Sequence, residues 1–414
     1  MRDLILSNMQ NPRQLEKLYR ENKAGFKQEF SGIYPELSGS ILADFWHERL
    51  TYETDEISWG TNKELLFVII VSLVAGFIAK LPGFFPISEE FFYPRNISFI
   101  VFPALLSYFA WKYKLPVYQL ALLLVVMGIC LFYINLLPAD NNSDTLILAC
   151  IHLPLLLWII LGAAFTDQQW QNHNKRLDYL KYNGELVVIT TLILISGAIL
   201  SGVTVALFSL IGLRIETFYL ENIVVFGLAA APVVGTFLTQ TNPQLVNKVS
   251  PVIARIFSPL VLVTLVIYLI ATVFSAKDPY TDRDFLILFN LLLIGVMAIV
   301  FFSVAEASRG PKITSRNWIL FLLAAVTVLV NGIALSAILF RISEWGITPN
   351  RLAVMGGNIL ILINLLIVTV ELYKCVTGTS GTDKVGQRIA AYLPFYGIWA
   401  AVVLFLFPLL FGFR

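Results

Sequence analysis

Charge is scarce in this chain. Only 14% of its 414 residues are Asp, Glu, Lys or Arg, while 57% are hydrophobic. Soluble domains run near ~25% charged and ~45–50% apolar, so a soluble globular fold is excluded. The formal net charge of +2 is too small for the field a nucleic-acid partner would need. Cysteine is nearly absent. Cys130, Cys150 and Cys375 show neither metal-ligand spacing nor a disulfide framework, and read as small buried hydrophobes. The three histidines, His47, His152 and His173, lie in different regions. There is no G-x-S-x-G, H-E-x-x-H, phosphate loop or dinucleotide fingerprint. No enzyme constellation, metal or cofactor is expected. A proton relay through His152 would lack a mid-span carboxylate, so His152 is expected to bond a neighbouring helix. An h-region is also missing after Met1-Arg2-Asp3, so no signal peptide is expected.

What is present is a series of long apolar runs. Mean hydropathy is +0.77. Eleven runs are expected to span a membrane: 65–81, 97–113, 117–136, 145–165, 186–211, 222–239, 251–275, 285–305, 318–340, 352–373 and 390–412. A run of ~20 residues at ~1.5 Å each crosses the ~30 Å hydrocarbon core. The fold class is therefore all-α, a polytopic membrane helix bundle of about 11 transmembrane helices (64–414). A small cytosolic helical head (1–63) precedes it.

The head carries eight Lys/Arg and ten Asp/Glu. Asn11-Pro12 starts a helix whose apolar stripe is Leu15, Leu18, Tyr19, Phe26 and Phe30. Pro35 and Gly39 interrupt. A second helix from Ser40 is expected to turn Ile41, Leu42, Phe45, Trp46 and Leu50 to one side. This face packs against the protein itself, lies on lipid, or docks a cytosolic partner.

Basic residues set the orientation. With the head inside, the inner loops hold twelve Lys/Arg, including Lys175, Arg176, Lys181, Lys248, Arg309, Lys312, Lys374, Lys384 and Arg388. The outer loops hold six: Arg95, Arg214, Lys277, Arg283, Arg341 and Arg351. The N-terminus is then cytosolic and the C-terminus outside. The segment 175–181 is amphipathic and is expected either at the headgroups or as the place where the helical head docks. Trp111, Trp158 and Trp318 read as interfacial anchors.

The ninth and tenth runs form a hairpin (318–373) closed by a polar loop, Arg341 to Arg351. Gly346 and Pro349 suit the turn. Arg341 and Arg351 can reach headgroups or Glu344, and Trp345 caps the hairpin. The stretch R-I-S-E-W-G-I-T-P-N-R-L, between apolar spans with the second ending E-L-Y-K, resembles the C-terminal signature of a bacterial membrane family, domain of unknown function 4153. The likeness covers roughly the last third of the chain and rests on Arg341, Glu344, Trp345, Gly346, Thr348 and Arg351. It implies a multi-pass inner-membrane protein and no particular reaction.

Two further features carry functional interest. In the fifth run stand Ser196-Gly197 and Ser201-Gly202. In the sixth, Gly227, Ala231 and Gly235 recur at four-residue spacing beside Pro232. Small residues on one face permit close helix packing. A Pro/Gly-interrupted span instead points to a broken helix and a mid-membrane binding site, with Arg214 guarding an outer entrance. The second feature is the set of buried amides, Asn290, Asn331, Asn358 and Asn364. Asn331 and Asn364 fall at similar depth from the loop and are expected to face each other or a shared polar cavity.

Three function classes follow. The first is a permease or channel for a small solute or ion. The second is a non-catalytic sensor or scaffold recruiting a partner through residues 1–63. The third is a membrane-embedded enzyme on lipid-linked substrates, holding lipid beside Arg351 or Arg214. The expected partners are membrane lipids and, at residues 1–63, a cytosolic protein.

Overall fold

The computed structural model describes residues 2–21, 23–37, 39–52, 60–140, 142–167, 169–210, 213–242, 258–267, 269–270, 280, 283–307 and 315–413. The chain divides into two compact units, Met1–Ser58 and Trp59–Arg414.

The first unit holds four helices: α1 (Arg2–Ser7), α2 (Pro12–Glu21), α3 (Lys23–Leu37) and α4 (Ile41–Tyr52). It has its own core of Ile5, Leu15, Leu18, Tyr19, Phe26, Phe30, Ile33, Ala43, Trp46 and Leu50. The Leu15-to-Phe30 stripe is buried as periodicity predicts. Two expectations need correction. Pro35 does not interrupt; it lies inside α3, and the chain turns at Gly39, where φ is +99°. On α4 the buried face is Ala43, Trp46 and Leu50, whereas Ile41 is 89% exposed and Phe45 60%. The reason is spacing: 43, 46 and 50 follow the helical period, and 41 and 45 lie on the opposite side. Glu16 accepts from Arg20 (2.8 Å) and pairs with Arg49 (2.8 Å). The Arg20 bond first, then Arg49, holds its carboxyl below the usual range against partial burial.

The second unit is a helix bundle. Its elements are α5 (Asn62–Ala79), α6 (Leu81–Phe84), α7 (Glu89–Tyr113), α8 (Val117–Leu136), α9 (Asp144–Phe165), α10 (His173–Leu210), α11 (Glu216–Phe218), α12 (Val225–Thr241), α13 (Ser258–Ile267), α14 (Arg283–Ala307), α15 (Ser315–Trp345), α16 (Pro349–Val376), α17 (Thr382–Ala401) and α18 (Phe407–Leu410). Among the described residues, eight helices are long and apolar enough to cross a membrane, and shorter apolar helices accompany them. Helices occupy the expected spans. Only part of the seventh is described; its remainder, with the loop residues Lys248, Lys277, Arg309 and Lys312, lies outside the described residues.

Membrane helices cannot gain by hiding apolar surface from water, so close packing and polar contacts must hold them together. Glycine supplies the first. At Gly184 of α10 the Phe302 ring of α14 occupies the place a Cβ would take, and at Gly356 of α16 the Trp399 ring of α17 does the same. Polar ties supply the second. Thr61 caps α5 by accepting from Glu64 N (3.2 Å). The Glu64 carboxylate then accepts from Tyr108 OH (2.8 Å) and Lys112 Nζ (3.5 Å) on α7. Lys112 also donates to Gln240 O (3.5 Å) near the end of α12. Three helices thus share one buried charge cluster.

Among the described residues, two π-helical stretches, Tyr219–Val224 and Val402–Leu406, interrupt the regular ladder. The second precedes Pro408, whose missing N–H and ring disturb the preceding turn. The Phe405 carbonyl in it accepts from Tyr133 OH of α8 (3.0 Å).

The segment 175–181 departs from expectation. It is the start of α10, and Arg176, Leu177, Tyr179 and Leu180 are buried in the protein rather than spread at headgroups. Arg176 donates to the carbonyls of Trp170 and Ala390, the latter at 3.2 Å, so carbonyl bonds take its guanidinium inward. Trp158 likewise donates to Asn183 Oδ1 (2.9 Å) on α10 and does not serve simply as an anchor.

A Gly184→Ala substitution should force α10 and α14 apart. Overpacking of this kind costs ~1–3 kcal/mol. Thermal unfolding in detergent should show a lowered midpoint, while Gly128→Ala, with no described neighbour within 4 Å, should leave it unchanged.

Candidate functional site

The α15–α16 hairpin organises the most suggestive region. Its loop is closed from within. Thr348 accepts from Arg351 N (3.3 Å) as the α16 N-cap, Pro349 takes the first helical position, and Gly346 has φ +74°. The Arg351 guanidinium donates to the carbonyls of Trp345 (2.8 Å) and Gly346 (2.7 Å). These are carbonyls that the end of α15 leaves without helical donors, so a cation there is doubly favoured. The bonds of Arg351 therefore go to backbone and not to Glu344, because the turn brings the carbonyls closer. Arg341 donates to Tyr280 O (3.0 Å). Both guanidiniums lie over the Trp345 ring, at 5.4 and 5.7 Å from its centre.

Deeper in the hairpin stand the amides. Asn331 is fully buried, and its Nδ2 donates to the backbone carbonyl of Asn358 (3.1 Å). Asn364 is also fully buried, and its Nδ2 donates to Tyr396 OH of α17 (2.9 Å). Tyr396 in turn donates to Met297 Sδ of α14 (3.3 Å). Of the two expected arrangements, facing each other or a shared polar cavity, direct pairing of Asn331 with Asn364 is not seen: each takes a different partner. Asn358 and Asn364 are six positions apart on α16, which places them about 120° apart around the helix. Asn331 Oδ1, Asn364 Oδ1, Asn290 Oδ1 and Asn358 Nδ2 are buried without a hydrogen-bond partner. Tyr396 was not foreseen, since tyrosines near span ends read as anchors. Its one sequence signal is the four-residue spacing of Arg388, Tyr392 and Tyr396 on α17.

The other candidates fall elsewhere. Pro232 does not break its helix; α12 runs unbroken from Val225 to Thr241. Thr236 donates to the Pro232 carbonyl (2.8 Å) and its hydroxyl pairs with Tyr182 OH (2.8 Å), which ties this part of α12 to α10. Gly235 packs against α10, where an added Cβ would sit 2.7 Å from Thr190 Oγ1. Gly227, by contrast, is exposed, and it, Gly197 and Gly202 meet no described neighbour within 4 Å. Arg214 is exposed between α10 and α11. His152 bonds the Leu148 carbonyl of its own helix (2.8 Å), not a neighbouring helix, because that acceptor lies one turn back on the same face. Sequence reasoning missed the Glu64–Tyr108–Lys112 cluster. Glu64 and Lys112 stand at the ends of different spans and meet only through packing.

Chemically, the amide region offers lone pairs in a low-dielectric interior. An unsatisfied buried amide costs ~1–3 kcal/mol. Such oxygens would accept from a cation or from a donor-bearing solute. No protein-family model matches the chain, and no curated protein or solved structure matches it.

Replacing Arg351 with Ala should remove two charge-assisted bonds, worth ~1.5–3 kcal/mol each at most. The expected result is faster amide hydrogen exchange at the end of α15 and a lower unfolding midpoint. Both bonds come from one nitrogen, Nη1, so Arg351→Lys, whose ammonium keeps the charge and several donors on one atom, should restore most of both.

Proposed function

We propose that this multi-pass membrane protein is a permease or channel for a small polar solute or ion, with its path along α14–α17. One observation carries the reading. Asn331 and Asn364 are fully buried among apolar helices, and each keeps a side-chain oxygen without a partner. In hydrocarbon that is costly, and polar groups retained in spans commonly mark substrate pathways. Helix glue alone would favour amides bonded at both ends.

The proposal places the chain in a bacterial inner membrane, head inside and C-terminus outside. It rests on the twelve-to-six distribution of basic residues and on the hairpin's likeness to the domain of unknown function 4153 family. A periplasmic alkaline phosphatase fused after Asn350 should then be active; an inactive fusion reverses the orientation.

A second reading has support of its own. Ile41 and Phe45 lie one turn apart and exposed on α4, outside the core of the first unit. Such a pair suits a scaffold that recruits a partner through its head.

Flux assays in liposomes separate the two. Wild-type protein should pass at least one of a panel of ions and small polar solutes. Asn331→Leu and Asn364→Leu should each cut that flux by roughly tenfold or more while the protein still folds. Unchanged flux with a midpoint loss of ~1–2 kcal/mol would assign the amides to helix association. No flux from folded protein would favour the scaffold.

A further inference from the structure

Where α16 gives way to α17, two cavities join. One, of about 360 Å³, is lined by His173, Lys374, Ser380, Lys384 and Arg388 together with Glu371. The other, of about 450 Å³, runs along the helices past Ile367, Val370, Tyr392 and Phe395. They share Glu371, Arg388 and Ala391. The first is polar and basic; the second has apolar walls. Val370 and Phe395 are each about half exposed, at 52% and 51%, on two helices long and apolar enough to cross a membrane.

We propose that these joined cavities bind one anionic phospholipid, its phosphate among Lys374, Lys384 and Arg388 and one acyl chain in the groove past Val370 and Phe395. Charge favours this occupant. Three fixed cations face one carboxylate, leaving +2 before His173 is counted. Glu371 is buried and positions the cations, holding Lys374 at 3.0 Å and Arg388 at 3.9 Å. Both bases keep their side chains largely accessible, 48% and 63% exposed, so each can also reach a phosphate. One more group adds to the site. Ser380 Oγ lies in the wall with no hydrogen-bond partner. The turn holding these groups is fixed by bonds from Thr379 N (2.9 Å) and Ser380 N (3.1 Å) to the Lys374 carbonyl. A free phosphate would use only the basic cavity. The continuous apolar groove is what selects a lipid.

The inference does not depend on transport, and it assigns a ligand to a region separate from the unpartnered amides. Native mass spectrometry of the delipidated full chain tests it, titrated with phosphatidylglycerol, phosphatidylcholine of the same chains, or inorganic phosphate. Wild type should prefer phosphatidylglycerol by roughly tenfold or more. Each base near an anionic headgroup is worth roughly fivefold, so Lys384→Gln with Arg388→Gln should erase the preference. Arg13→Gln with Lys63→Gln, an equal charge change elsewhere, should retain it. Val370→Trp, which fills the groove at an exposed position, should weaken phosphatidylglycerol roughly tenfold. The proposal fails if wild type shows no preference, or if the preference survives loss of Lys384 and Arg388. It also fails if Val370→Trp binds as wild type while millimolar inorganic phosphate displaces the lipid, which would leave a plain anion site. If the double variant does not fold, Lys384→Gln alone should show a several-fold loss.

Discussion

Within a bilayer no water is available to satisfy a backbone amide or carbonyl, so each span must close its own hydrogen bonds. Everything else in the second unit follows from that requirement. It dictates helices throughout the apolar runs. It also makes each departure from the regular ladder need a specific partner. The π-helical stretch at Val402–Leu406 has one in Tyr133. The carbonyls at the end of α15 have one in Arg351. The stretch after Pro232 is tied to α10 through Thr236 and Tyr182.

The same absence of water removes the hydrophobic drive between helices, and shape takes its place. Glycines accept rings: Gly184 accepts Phe302, Gly356 accepts Trp399, and Gly76 of α5 accepts Phe226 of α12. Charges are kept near span ends and paired there, as in Glu64 with Lys112 and Glu371 with Lys374. The central amides are the most deeply placed of the polar groups left open: Asn331 and Asn364 lie fully buried with one oxygen each unsatisfied. Other side chains, among them Ser72, Thr190 and Trp399, also keep a buried polar atom without a partner.

The first unit obeys different rules. Its helices are short, its charges many, and its core is made by burying aromatic rings around Trp46, with Tyr19 and Phe26 at 5.6 and 5.1 Å. These rings gather the unit's large apolar side chains into one cluster. Its outward Ile41 and Phe45 are the exception.

Much was legible from the amino-acid order because the physical signals are local. Apolar run length determines which segments can span. Asn11-Pro12 and Thr348-Pro349 mark helix starts by their own chemistry. The positive φ at Gly346 follows from the turn it must make. Other features required the folded chain, since they depend on which helices become neighbours. Glu64 and Lys112 are 48 positions apart and meet through Tyr108. Asn364 was recognised as buried, but its partner Tyr396 belongs to the next helix. The basic cavity of Lys374, Lys384, Arg388 and His173 draws on the ends of three helices and shares Glu371 and Arg388 with an apolar groove only because α16 and α17 pack side by side. Sequence alone determined the membrane class, the helices and the turn of the hairpin, which are set by residues within one or two turns of each other. Tertiary structure alone decided which polar groups are paired and which are left open, because distances between side chains on different helices are not encoded in any local pattern.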